Sequence, residues 1–235
     1  MMISIRNIFV VVSAFVLVAC AGTPQEPVQF SSAVWDASEK KVVLLFDDAS
    51  TPSFSVPGAS CLLCLGVAMA ANSSLSDHVK TLSVEDIKAI SEEIEKAWLA
   101  RGYTVKSADF QEFKKLPKFK SGGLNVAKNN FNVYKERDGV DYAMVVKFDH
   151  IGVSRPYASY VPMGDPKAEI VGSVYLVNTT NNAYEWFSPI SITIGADGEW
   201  DESPDFPGLT NAYYQAIETT RDKILKPFSP ASSPL

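Results

Sequence analysis

The sequence lacks most of the motifs by which enzymes and nucleic-acid-binding proteins are recognised. It has only two histidines and three cysteines in 235 residues. It contains no phosphate-binding glycine loop, no Gly-x-Ser-x-Gly turn and no metal-binding helix motif. Runs of lysine and arginine interleaved with aromatics are also absent, and the net charge of −6 repels phosphate backbones. We therefore expect neither an enzyme nor a nucleic-acid-binding protein, and no metal or cofactor.

What the sequence does have is enough apolar residues for a folded core. Hydrophobic residues make up 46% of the chain and charged residues 20%, a balance typical of globular rather than disordered proteins. The length suits one domain, or two small ones. No internal repeat is visible.

The first twenty residues divide into three parts. Residues 1–7 carry one cation, Arg6, residues 8–16 are almost wholly apolar, and Leu17-Val18-Ala19-Cys20 follow directly. The apolar run is too short to cross about 30 Å of hydrocarbon, so we favour a secretory leader over an uncleaved membrane helix. The last four of these residues resemble the lipobox of bacterial lipoproteins.

That resemblance implies cleavage before Cys20. Residues 1–19 would be the signal peptide, and Cys20 would carry a diacylglycerol thioether and an amide-linked acyl chain such as palmitate, more than the two signals needed for durable anchoring. The mature chain would lose Arg6 and have a net charge of −7. Ala21 stands where an aspartate retains many such proteins in the inner membrane, which favours the periplasmic face of the outer membrane. Residues 20–39 would form a flexible lipidated tether.

The remainder, residues 40–228, is predicted to be a single periplasmic α/β domain followed by a flexible tail at 229–235. Apolar periodicity, helix caps and turn signals predict elements in the order β-α-β-α-β-β-β-α. We therefore expect an α+β fold, a mixed β-sheet with helices packed mainly on one face. The predicted strands are 42–46, 103–108, 140–153, 170–177 and 183–194, and the predicted helices are 83–102, 124–138 and 210–226.

Several short motifs carry a resemblance to a known group of proteins. They are the strand Val42 to Phe46, the helix end Ala100-Arg101-Gly102-Tyr103, the run from Gly139 to Val146, and the hairpin that ends near Trp186. Together they resemble the fold shared by the TolB amino-terminal domain, the curli-secretion lipoprotein CsgG and the penicillin-binding-protein activator LpoB. The resemblance implies partner binding or assembly in the cell envelope, with no catalytic residues. The chain departs from that pattern by inserting residues 53–81, and it also resembles proteobacterial lipoproteins that carry this insert.

The insert contains Cys61-Leu62-Leu63-Cys64, for which three interpretations compete. We prefer a structural disulfide, or two buried thiols, because acylation of Cys20 leaves an even number of cysteines. A redox-active pair is the second interpretation. A zinc site with His78 and His150 is the third. The apolar run from Cys61 to Ala71 is predicted to be buried, with an exposed surface for a partner, another copy or lipid as the alternative.

Two loops offer candidate partner-binding residues. The loop 155–166 carries Tyr157 and Tyr160 among prolines, and aromatics held at low entropic cost are typical contact anchors. The loop 197–207 places acidic residues around Trp200 and Phe206. Its spacing lacks the order of known calcium loops, so we expect a solvated acidic loop. Among the remaining candidates, His150 lies in phase with Phe148 and is predicted to face the core.

The sequence thus predicts a non-enzymatic, lipid-anchored envelope protein that binds another envelope protein or assembles with itself. Two alternatives stay open. One is a periplasmic thiol-redox or metal-handling protein that uses Cys61 and Cys64. The other is a secretion-pore subunit like CsgG, with residues 53–81 facing the membrane.

Overall fold

Residues 24–36, 40–48 and 51–229 are described by the structure, a computed structural model. The predicted signal peptide, the predicted lipidation site Cys20 and residues 230–235 of the predicted tail lie outside these ranges. The strands are β1 (Lys41–Phe46), β2 (Ser53–Ser55), β3 (Thr104–Ala108), β4 (Tyr142–Ser154), β5 (Tyr157–Ala158), β6 (Val161–Pro162), β7 (Lys167–Asn178) and β8 (Tyr184–Gly195). The helices are α1 (Leu62–Ala71), α2 (Ser73–Val79), α3 (Glu85–Ala100), α4 (Phe110–Lys115), α5 (Asn132–Asp138) and α6 (Pro207–Leu225), with short 3-10 helices at Ser32–Val34 and Lys226–Phe228.

One mixed sheet organises the domain. Its strand order is β3-β1-β4-β7-β8, with β2 paired to the last part of β4. Strand β1 runs parallel to β3 and β4, whereas β4, β7 and β8 are joined antiparallel. The predicted α+β class with a mixed sheet is therefore confirmed. Pro189 lies on β8, an edge strand, where a missing backbone N–H disturbs the sheet least.

The sheet is covered on both faces, but unequally. On the first face the long helices α3 and α6 share the larger core cluster with Val42, Leu44 and Phe46 of β1. On the second face the short helices α4 and α5 cover Val43 and Leu45. Strand β1 is accordingly buried along nearly its whole length, as its unbroken apolar run predicted.

The sheet also has two distinct ends. At the near end β4 begins at Tyr142, beside the turn between β7 and β8. At the far end β4 finishes at Ser154, next to β2 and the insert. Thirteen residues of β4 separate the two ends, which corresponds to about 40 Å of extended chain.

Part of the predicted tether packs on the domain instead. Val28 pairs with Phe187 on the edge strand β8. Val34 is fully buried, its carbonyl oxygen accepts a hydrogen bond from the Tyr103 hydroxyl, and Trp35 packs near Trp98. Apolar side chains at 28, 30, 34 and 35 explain the difference, because they bury surface that a free tether would expose. The folded domain therefore begins at about residue 28, and the prediction of a tether to residue 39 is wrong in this part.

The predicted helix 124–138 is also shorter than expected. Helix α5 starts only at Asn132, and the residues before it form an irregular loop in which Leu124 is 85% exposed. The side chain of Asn182 donates to the carbonyl oxygens of Ala127 and Asn129 and accepts from the Phe131 N–H. These contacts replace hydrogen bonds that a helix would have made within its own backbone.

Candidate functional site

Helix α1 begins at the disulfide of the insert. Cys61 is its N-cap, and the Cys61 Sγ accepts a hydrogen bond from the Cys64 N–H at 2.9 Å. The two sulfur atoms are bonded to each other in the structure. Cys61 is exposed, whereas Cys64 and Ala68 point inward and are buried.

Most other side chains of α1 are exposed, although they are apolar, and Met69 is half-buried against Val56, Ala68 and Tyr157. The helix has no charged residue on any side. Its outward aliphatic side chains, named here the apolar helix face, are Leu62 (91% exposed), Leu63 (77%), Leu65 (42%) and Val67 (46%). The prediction that this run is buried is therefore wrong. Cys64, Ala68 and part of Met69 face the domain. The leucines and Val67 of the helix remain in solvent, where their exposure is unfavourable unless another surface covers them.

A polar junction holds the end of α1 against the far end of the sheet. Asn72, which is buried, donates from Nδ2 to the Ala68 carbonyl oxygen and to the Tyr157 hydroxyl, both at 2.7 Å. The Arg155 guanidinium donates to Asn72 Oδ1 at 2.9 Å and to the Gly164 carbonyl oxygen at 3.0 Å. Because every side-chain polar atom of Asn72 is used, α1 is fixed in place despite its exposure.

Tyr157 differs from its predicted role. It was expected to be an exposed contact residue, but it is buried in a small core cluster with Val56 and Ala68. Its hydroxyl serves the junction with Asn72. Tyr160 does project, with 66% of its surface exposed. Val161 (50%) and Met163 (64%) are exposed beside it in sequence, so this hairpin also presents apolar groups at the far end.

Trp200 and Phe206 are half-buried and pack against the main core. Their rings lie stacked, with centroids 6.4 Å apart, and the Arg155 guanidinium lies 4.8 Å from the Trp200 ring centroid. His78 also lies near Phe206, at 5.4 Å between ring centroids. These two aromatics therefore already have partners within the domain and present only part of their surface.

His150 lies on a different face from the one its spacing predicted. A bulge between Phe148 and His150 shifts the register of β4 against β7, and the extra residue moves His150 to the second face. Its Nδ1 is 3.4 Å from the Ser53 Oγ, and its Nε2 is 4.0 Å from a Glu169 carboxylate oxygen. Burial lowers the pKa of the His150 imidazole, and the Glu169 carboxylate opposes that effect only in part.

The signal that could have indicated the exposed helix is the distribution of charge. No charged residue occurs from Ala49 to Ser76, in a chain of which 20% is charged. An amphipathic helix that packs on a sheet normally carries charges on its outer side. A stretch without any charge, at one end of the domain, therefore indicates a surface whose exposure to water is unfavourable.

Two further observations concern metal ligands and membrane-spanning helices. Within residues 24–36, 40–48 and 51–229 no three His, Cys, Asp or Glu side chains come together as metal ligands could. In the same ranges no helix is both long and apolar enough to pass through a bilayer. Helix α1, with ten residues, is about 15 Å long.

No protein-family model and no curated protein matches the sequence. Among solved structures the chain is similar to the lipoprotein GNA1162 of Neisseria meningitidis, at 14% identity and a TM-score of 0.30, over 78% of this chain and 99% of that one. It is also similar to a putative neuraminyllactose-binding hemagglutinin homolog from Helicobacter pylori, at 11% identity and a TM-score of 0.37, over 88% and 92%.

A third similar structure is the PelC dodecamer from Paraburkholderia phytofirmans, at 8% identity and a TM-score of 0.32, over 81% of this chain and 88% of that one. At these identities and TM-scores no assignment of function follows from the likenesses. The functional conclusion depends on the chain's own residues.

Proposed function

We propose that this protein is a lipid-anchored lipoprotein of the bacterial outer membrane, facing the periplasm, and that it binds another envelope protein without catalysing a reaction. The observation that carries the binding role is the exposure of the apolar helix face. The lipid anchor is supported by the lipobox-like residues Leu17 to Cys20 and by Ala21 at the next position.

The energetics favour a covered helix. Burying a leucine or valine side chain is worth about 1.5–3 kcal/mol, and the apolar helix face contains four such side chains. A fixed helix that leaves them in solvent keeps this free energy available for association. Proteins rarely expose such groups together unless a partner covers them.

The position of α1 favours a protein over the membrane as the covering surface. The described chain starts at Pro24, and Gln25 donates to the Asn125 side chain. The Asn125 carbonyl oxygen in turn accepts from Tyr184 at the near end of the sheet. Cys20 lies four residues before Pro24, a span of at most about 14 Å. The lipid would thus enter the membrane near one end of a sheet about 40 Å long, and α1 lies at the other end.

The partner we infer is an envelope protein with an apolar surface that accepts a short uncharged helix. No charged group on α1 would direct this contact, so it depends on shape and apolar burial. Tyr160 and Met163 supply additional exposed surface at the same end of the sheet.

The test is site-specific crosslinking in intact cells. A photo-reactive residue at Leu63 should give an adduct heavier than the lipoprotein, whereas the same residue at Leu99, another exposed leucine on α3, should not. An adduct composed only of this chain would identify a second copy as the partner. Absence of an adduct at Leu63, or equal adducts at both positions, would refute the proposed surface.

The lipid anchor is tested separately. The intact mass of the purified native chain should correspond to a chain that starts at an acylated Cys20, and the protein should enter the detergent phase on partitioning. Cys20→Ser should remain in the aqueous phase or retain its leader. A native chain that still begins at Met1 would contradict the anchor.

A second function, thiol–disulfide exchange, is favoured by one observation. Cys61 is exposed at the start of a helix, and the Cys64 N–H points at its sulfur, an arrangement that favours the thiolate once the pair is reduced. Alkylation of intact cells before and after reduction separates the two functions. A structural disulfide should be fully oxidised, whereas an exchanging pair should show a reduced fraction at Cys61 and Cys64.

A further inference from the structure

A group of lysines stands out because the chain is acidic overall. Between Phe110 and Asn130 there are five lysines and one acidic residue, Glu112, whereas the whole chain has a net charge of −6. All five are exposed. They are named here the lysine surface and are Lys114, Lys115, Lys118, Lys120 and Lys128.

These lysines are not neutralised within the described part of the chain. Three exposed lysines elsewhere, Lys80, Lys88 and Lys96, pair with a carboxylate one turn away, as Lys80 does with Asp77 at 2.8 Å. No described carboxylate lies within 4.0 Å of an ammonium group of the lysine surface. Of the nearby acidic side chains, Glu112 is paired with Arg137 at 3.2 Å, and Glu26 lines a groove with Lys118 and Lys128 without coming within 4.0 Å of their ammonium groups. Like charges gathered without counter-charges repel one another, so this surface attracts an anionic partner.

The fold holds part of this surface in a fixed shape. Lys118 donates to the Asn129 side chain at 2.8 Å, and the backbone of Phe119 donates to the Lys128 carbonyl oxygen at 2.9 Å. Asn182 fixes the same loop from the turn between β7 and β8. Lys118 and Lys128 therefore keep their relative positions.

The surface lies where the described chain begins. Lys118 and Lys128 line an open groove of about 610 Å³ together with Pro24, Glu26 and the exposed Leu124. Ammonium groups and apolar side chains thus occur together, a combination typical of the boundary between lipid headgroups and acyl chains. Cys20 lies only four residues before Pro24.

We propose that the lysine surface binds the anionic headgroups of phosphatidylglycerol or cardiolipin in the leaflet that holds the lipid on Cys20. The inference rests on the proposed lipid anchor and deepens it, because it sets the orientation of the domain. With the lysines against the phosphates, the acidic remainder of the chain and the far end of the sheet point away from the membrane. The apolar helix face is then presented to the periplasm.

The test uses the native lipidated chain in vesicles. Lysine acylation is followed by peptide mass spectrometry in vesicles of phosphatidylcholine alone and in vesicles that also contain phosphatidylglycerol. Ammonium groups against an anionic surface stay protonated and shielded, so Lys118, Lys120 and Lys128 should react about fivefold more slowly with phosphatidylglycerol present. Lys80, Lys88 and Lys96 serve as controls and should react at the same rate in both. High salt should remove the difference.

Two comparisons decide the source of the anion. If free phosphate, added to phosphatidylcholine vesicles, slows the same lysines, the surface is a general anion site and the lipid proposal fails. If phosphatidylcholine and phosphatidylglycerol vesicles give equal rates, headgroup charge is not recognised and the proposal fails as well. Protection confined to phosphatidylglycerol vesicles supports it.

Variants separate this inference from the anchor itself. Lys118→Glu with Lys128→Glu should abolish the protection of Lys120, whereas Lys80→Glu with Lys88→Glu should preserve it. Intact mass reports acylation of Cys20 independently. A chain without lipid that still shows phosphatidylglycerol-dependent protection would support the lysine surface and contradict the anchor. An acylated chain without that protection would support the anchor and contradict the lysine surface.

Discussion

Helices α1 and α3 lie close in the sequence but are opposites in the fold. Along α3, one side is charged or polar, and the other buries Ile87, Ile90, Ile94 and Trp98. Helix α1 is apolar on every side and buries only Cys64 and Ala68. The more apolar helix is thus the more exposed one. A helix that packs on a sheet needs one apolar side and one polar side. The spacing of apolar residues therefore indicates burial, whereas apolar content alone does not.

The largest effect expected from this contrast concerns Trp98. It is fully buried, its Nε1 lies 3.1 Å from the Met144 Sδ, and it contacts three other aromatic rings. Trp98→Ala should lower the free energy of unfolding by about 3–5 kcal/mol, because it leaves a large cavity in the main core. Urea denaturation monitored by circular dichroism measures the change.

The matched variants on exposed leucines should have almost no effect. Leu63→Ala and its control Leu99→Ala should each stay within about 0.5 kcal/mol of the native protein. If Leu63→Ala alone cost several times that amount, α1 would be covered within the folded monomer, and the contrast between the two helices would be lost.

A loss of stability smaller than that of Trp98→Ala is expected at the junction that holds α1. Asn72→Ala removes the hydrogen bonds to Ala68 and Tyr157 and leaves the Arg155 guanidinium without one of its acceptors. The loss should be about 1–3 kcal/mol. Amide exchange should accelerate in α1 and remain unchanged in α3. Asn211→Ala, an exposed position on α6, is the control. Equal acceleration in both helices would show that α1 is not a separate unit.

The same contrast shows which parts of the fold the sequence could predict. The periodicity of α3, the unbroken apolar run of β1 and the polar turn between β7 and β8 are local patterns, and each predicted its element. Helix α6 and the extent of β4 were predictable for the same reason. The type of each element follows from residues that are neighbours in the chain, although β1 pairs with the distant strands β3 and β4.

The parts that differ from prediction depend on distant residues. Asn182 replaces the helical hydrogen bonds expected before Asn132, and a bulge reverses the face of His150. Whether Tyr157 points outward is decided by Asn72, which lies 85 residues earlier. Single-sequence patterns carry no information about such contacts. The candidate surfaces could have been found from charge, since a charge-free stretch and a lysine cluster are both visible in the sequence.

The smallest effect expected is pH-dependent and concerns the entry to α1. Strand β2 precedes that helix, and its Ser53 faces His150, whose Nε2 is buried without a hydrogen-bond partner in the described part of the chain. Burial lowers the pKa of His150 in the folded protein, so the folded state prefers the neutral imidazole. The stability is therefore fully present above the unfolded pKa of about 6.5 and declines as the pH falls below it, by at most about 1.4 kcal/mol per pH unit.

Because His150 contacts β2 rather than α3, the weakening should be local. Amide exchange in β2 and α1, corrected for the intrinsic pH dependence, should accelerate between about pH 7.5 and about pH 5.5, and exchange in α3 should not. His150→Gln keeps a neutral polar side chain and should remove the difference. A variant that retains the same acceleration would show that another group controls it. If α3 accelerated equally, the two helices would share a single unfolding unit, and their contrast would be one of exposure alone.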